Sequence, residues 1–174
     1  MQHQVEWHSL LRTLVLAAIL LAGTEVAYAQ EIVEDSEDEF NGARKVRTST
    51  HQIDHEGFSG SARIVYLHVG EAETGSYGMA LNVRSRDSWQ ILGSDTAEFI
   101  VDEKRATYDL SRSNTDISGG ITSEVYIIAS TQGELREIGV AEDVRFRVNG
   151  NVYTLTNEAK EAARLIVDRV TGTE

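Results

Sequence analysis

The chain has 174 residues, a formal net charge of −12, no cysteine and no proline. Thiol chemistry, disulfides and cysteine-held metals are therefore excluded, and stability must come from apolar packing. So large an acidic excess repels phosphate backbones and anionic headgroups, which sets nucleic acid aside as a partner.

In chain order the first element is a secretory signal. A polar start over Met1 to Ser9 and the basic Arg12 precede the apolar run Leu14 to Ala22, and the small residues Ala27 and Ala29 flank Tyr28 as a signal peptidase requires. Residues 1–29 read as a signal peptide cleaved after Ala29. The run is well short of the ~20 apolar residues that cross a bilayer, so the expectation is a secreted or periplasmic protein with no membrane span after processing. Processing leaves 145 residues with 15 basic and 26 acidic side chains, a net charge of −11. Three lysines against 13 arginines in so acidic a chain suggest a host that tolerates high salt.

Residues 30–39 hold six carboxylates and little apolar surface, and residues 40–56 turn locally basic at Arg44, Lys45 and Arg47 without a sustained period. Residues 30–56 are thus expected to be an acidic, disordered leader and linker. Residues 57–174 are expected to form a single β-rich domain with a C-terminal helix.

Within that domain, short runs rich in Val, Ile and Tyr alternate with Gly, Ser, Asp and Asn clusters, the pattern of strands and turns. Arg63 to Val69 and Glu124 to Ser130 are apolar on both faces and predict central strands. Met79, Leu81 and Val83 alternate with Ala80, Asn82 and Arg84, predicting a strand with one wet face. A hairpin is expected from Ala97–Val101 to Ala106–Leu110 through the turn 102–105, with Phe99 facing Tyr108. The strongest local signal is Val144 to Leu155, where Asn149-Gly150 can close a two-residue turn. Its register sets Val148 against Asn151, Phe146 against Tyr153 and Val144 against Leu155.

A short helix is expected over Gly133 to Val140. A stronger one runs from Asn157 to Val170, capped by Thr156 or Asn157, striped by Ala159, Ala162, Ala163, Ile166 and Val170, and ended by Gly172. The fold class that follows is mainly β (α+β): an antiparallel β-sandwich or partly open barrel of about seven strands, covered by the amphipathic C-terminal helix, with the short helix before the last hairpin.

Chemistry is sparse. His51, Asp54 and His55 form the one cluster with ligand character, able to share a metal on a helix but about 13 Å from end to end on a strand. His68 falls on an apolar strand face beside Tyr66, either as a hydrogen-bonded core residue or as a pocket-lining acid or base. Trp89 is a candidate stacking platform for a ligand. Gly57-Phe58-Ser59-Gly60 misses the nucleophile-elbow spacing, and Ser118-Gly119-Gly120 lacks the lysine of a phosphate loop. No catalytic residue and no cofactor is assigned. The expected function is a non-catalytic, exported binding or envelope-associated module whose partner is a protein, peptide or envelope component; the alternative is a small secreted hydrolase or metal-dependent enzyme using His51, His55 or His68 with nearby carboxylates.

Overall fold

The structure, a computed structural model, describes residues 32–38, 43–71, 74–86 and 88–173. The expected signal peptide lies outside the described residues. Among the described residues, ten strands and two helices follow one another as β1 (Ile32–Glu37), β2 (Arg44–Thr48), β3 (His51–Glu56), β4 (Gly60–Gly70), β5 (Ser76–Ser85), β6 (Thr96–Val101), β7 (Lys104–Ser118), β8 (Ile121–Ser130), α1 (Gln132–Val140), β9 (Val144–Val148), β10 (Asn151–Thr154) and α2 (Asn157–Thr171). The strands form a closed, antiparallel eight-stranded barrel in the order β3-β4-β5-β8-β7-β6-β9-β10, closed because β4 pairs with both β3 and β5.

Closure depends on one long strand. Residues 104–109 of β7 pair with β6 and residues 110–118 pair with β8, with a register shift between Arg112 and Asn114. Such a bulge bends a strand and adds twist, which lets β7 turn the corner of the barrel.

β2 lies on the same edge of β4 as β3, and β1 pairs with β2 outside the ring. This corrects the expectation of a disordered leader and linker over 30–56, where β1, β2 and β3 are found; these three also lift the strand count above the expected seven. The reason is charge complementarity between two runs of opposite sign. Glu34 meets Lys45 at 2.8 Å and Arg47 at 3.3 Å. Asp35 takes a bidentate pair from Arg44 and a third bond, of 2.7 Å, from Arg169 of α2. The Arg44 hydrogen bond is the main reason the Asp35 carboxyl sits low, at about 2.

The β9–β10 hairpin has the expected register, Asn151 opposite Val148 and Tyr153 opposite Phe146. Asn149 (φ 50°) and Gly150 (φ 81°) both take the left-handed conformation of a type I′ turn. The β6–β7 hairpin differs from expectation. Its turn is Asp102-Glu103 alone, with Asp102 at φ 52°, so Phe99 stands opposite Ala106 and Tyr108 opposite Ala97. A two-residue shift preserves the faces, and Phe99 and Tyr108 still meet edge-on at 5.0 Å.

Both helices start on threonine caps. Thr131 and Glu134 make a capping box at α1, and the Thr156 hydroxyl accepts from the Ala159 amide at α2, which ends on Gly172 at φ 68°. α2 buries Ala159, Ala162, Ala163, Ile166, Val167 and Val170 in the main core and packs against β2, β3, β4 and α1. Gly139 makes the helix crossing possible, since a Cβ there would come within 2.8 Å of Arg164.

The barrel interior holds side chains from all eight strands. Across β7, β6, β9 and β10 and on to Phe58 and His55, six rings succeed one another, from Tyr108 through Phe99, Phe146 and Tyr153, with neighbouring centroids 4.1–6.2 Å apart. A second, smaller cluster of Val65, Leu67, Val69, Ala80, Val125 and Ile127 lies on the outer faces of β4, β5 and β8. It modifies the expected wet face of β5, which is exposed at Arg84, half-buried at Asn82 and buried at Ala80.

Candidate functional site

The barrel disperses the residues singled out from sequence. His51, on the inner face of β3, is buried, with Nε2 3.2 Å from the Ser49 hydroxyl. His55 stacks on Phe58 at 4.1 Å with Nε2 3.2 Å from the Gly60 carbonyl oxygen. Asp54 is exposed. Because β3 is a strand, four residues separate the two histidines by about 13 Å, too far to share a metal. Among the described residues no group of three His, Asp or Glu side chains is placed to hold one.

His68 is fully buried on the inner face of β4, its Nε2 3.1 Å from the Gly70 carbonyl oxygen and its ring 4.5 Å from that of Tyr77. Trp89 is half-buried in the segment between β5 and β6. Neither joins the other candidates.

Burial lowers the pKa of both His51 and His68, against an opposing pull from Glu158 on the first and from the Gly70 carbonyl on the second. The unfolded chain therefore binds protons on these rings more readily than the native state does. Their contribution to stability is full above the ordinary histidine value of about 6.5 and is lost as pH falls below it. The expected result is a melting temperature that declines from about pH 7 to about pH 5.5, with a shallower decline in His68→Gln. A melting temperature flat across that window in the native sequence would refute it.

The best-defined polar arrangement was missed from sequence. Glu124 of β8 is 1 % exposed and faces inward in line with Tyr126 and Ile128. Its carboxylate accepts from three consecutive amides: Gln90 at 2.5 Å, Ile91 at 3.0 and 3.2 Å, and Leu92 at 2.7 Å. The Gln90 carbonyl in turn accepts from the side-chain amides of Asn149 and Asn151 at 3.0 and 3.1 Å. The segment between β5 and β6 is thus clamped between β8 and the β9–β10 turn. The sequence signal was a lone carboxylate on the inward side of a strand whose next five residues, 125–129, are apolar on both faces.

This clamp shapes a cleft of about 260 Å³ lined by Leu92, Gly93, Ser94 and Asp95 on one side and by Leu110, Arg112 and Tyr126 on the other. Tyr126 is buried, and its phenol is pushed above the usual range by burial and then by Glu124. Arg112 and Asp95 are exposed, and neither has an ion-pair partner among the described residues. The cleft thus presents one cation, one anion and one phenol beside Leu92 and Leu110, with a lining that is more polar than apolar.

Fold and cleft together define a closed antiparallel β-barrel, braced by two helices, with a small charged cleft beside the segment that Glu124 holds. No family model matches this chain, and no match to it was found among curated proteins or solved structures.

Proposed function

We propose that the protein is an exported binding module, and that the Asp95–Arg112–Tyr126 cleft takes a small ligand carrying both a carboxylate and an ammonium group, such as a short peptide with both ends free. The observation that carries this reading is the pair of unmatched opposite charges on one small cleft. A carboxylate suits the forked donors of Arg112, an ammonium group suits Asp95, and the side chain of such a ligand would lie over Leu92, Leu110 and the Tyr126 ring. The absolute size is modest: about 260 Å³ lies just below the range of drug-sized pockets, which favours one or two residues of a peptide over a folded partner.

The test is calorimetric titration of the protein with trialanine and with its N-acetylated, C-amidated form. Binding of the free peptide, lost on blocking its ends and lost again in Arg112→Ala, is the expected result. Equal heats from both peptides, or from native and Arg112→Ala protein, would remove the reading. Export is tested separately by N-terminal sequencing of the chain recovered outside the cytoplasm, where Gln30 is the expected first residue.

A further inference from the structure

β7 outruns the strand on one side of it. Ser118 stands opposite Ile121 across Gly119 and Gly120, which take φ of 58° and 75°, so this two-residue turn makes 118–121 a hydrogen-bonded rung and the rungs alternate from there. Ser118, Asp116 and Asn114 therefore turn their backbone groups toward β8, while Ile117 and Thr115 turn theirs the other way. On that other side β6 reaches β7 only as far as Thr96, opposite Asp109. Upstream of Thr96 the chain offers β7 one more acceptor, the Asp95 carbonyl, 2.8 Å from the Leu110 amide, and then leaves for the Glu124 carboxylate. Among the described residues no strand pairs with the open side of 111–118. Arg112, Asn114 and Asp116 are exposed there, and Ile117 is 60 % exposed.

We propose that this open lane takes the extended C-terminal segment of another polypeptide as an added strand antiparallel to β7, with its terminal carboxylate at Arg112 and a basic side chain opposite Asp116. Direction follows from topology. β6 runs antiparallel to β7, so a strand that occupies the same lane in the same sense ends where β6 begins, beside Asp95 and Arg112. A chain that stops there brings its carboxylate to the forked donors of Arg112. The carboxylate contact rests on the function proposed above; the strand pairing does not.

In an added strand the backbone ladder supplies affinity and the opposing side chains supply choice. Asp116 has no ion-pair partner among the described residues, so a lysine or arginine across from it is matched and an acidic residue is repelled. The same residue disfavours a second copy of this chain as the occupant. Two-fold pairing that uses both open rungs sets Thr115 against Ile117 and each Asp116 against the other, like charges directly opposed in a chain whose net charge is already −12. The regular stretch 114–118, beyond the register shift at 112–114, accommodates about five residues, or roughly 17 Å of extended chain.

The test is calorimetric titration of the full chain with the N-acetylated, free-acid pentapeptide Thr-Val-Lys-Val-Thr, whose lysine falls opposite Asp116 when the last residue meets Asn114. N-methylation of the two valines, whose N–H groups face β7 in this register, should weaken binding about 10-fold or more, whereas N-methylation of the lysine, whose N–H faces away, should change it less than about 2-fold. Thr115→Pro removes an outward donor without removing a bond to β8 and should weaken binding as much; Ile117→Pro repeats the measurement in case that variant does not fold. Asp116→Lys should reverse the preference, favouring the peptide with glutamate in place of lysine. Equal losses from both N-methylations, full binding by folded proline variants, binding indifferent to C-terminal amidation, or a dimer that Thr115→Pro dissolves would overturn the proposal. Trialanine separates the two readings. If it binds and the pentapeptide does not, the added strand falls and the cleft reading stands; if only the pentapeptide binds, with the alternating pattern, the cleft reading falls and the strand stands.

Discussion

Glu124→Ala destabilises the barrel by about 3 kcal/mol or more, read as a fall of roughly 10 °C in melting temperature or an equivalent shift in the urea midpoint. Among the described residues the carboxylate is the sole acceptor for the amides of Gln90, Ile91 and Leu92, and hydrogen bonds to a charged acceptor contribute about 1.5–3 kcal/mol each. Alanine abandons all three donors at once. Partial rehydration of these donors as the segment lifts away brings the net loss below the simple sum of the three bonds. Glu124→Gln preserves shape and one carbonyl acceptor and should lose less than Glu124→Ala. The same substitutions loosen Leu92 to Asp95, one wall of the cleft, so Glu124→Gln should weaken trialanine binding even where the barrel stays folded. An Ala variant within about 0.5 kcal/mol of the native protein would mean that the segment is not held by Glu124 at all.

What was legible in the sequence is what local chemistry alone decides. Asn149-Gly150 permits one turn type, that turn permits one register, and Phe146 therefore meets Tyr153 as expected. Thr131, Thr156 and Gly172 mark helix ends by the same local logic. The mainly β, antiparallel character with two helices was legible for this reason.

Long-range complementarity was not legible. The acidic run at 34–35 looked solvated because its partners are Arg44, Lys45 and Arg47 across a hairpin and Arg169 at the far end of the chain. The β6–β7 turn was drawn two residues too long because Asp102 takes a left-handed conformation that asparagine or glycine would have advertised. Glu124 meets its donors 32 to 34 residues away, and Asp95 reaches Arg112 and Tyr126 only once β7 has turned the barrel's corner. The histidine cluster, by contrast, failed on a point that the sequence had already framed, the choice between helix and strand over 51–56.

The aromatic succession in the barrel makes Phe146 the most sensitive apolar position. It is 1 % exposed and lies between two nearly parallel neighbours, Phe99 at 4.6 Å and 9° and Tyr153 at 4.9 Å and 14°. Phe146→Ala removes the ring, opens a cavity in a barrel whose closed ladder limits collapse, and breaks both stacked pairs, for an expected loss of about 3–5 kcal/mol. Phe146→Leu restores most of the volume but neither stack, and should retain more than half of that stability. Tyr108→Ala, at the half-buried end of the row with one ring neighbour, should lose clearly less than Phe146→Ala. Urea denaturation of the three variants reads the order directly. If Tyr108→Ala proved as damaging as Phe146→Ala, stability would not track the number of stacked neighbours, and the row of rings would be ordinary core filling with no energetic centre.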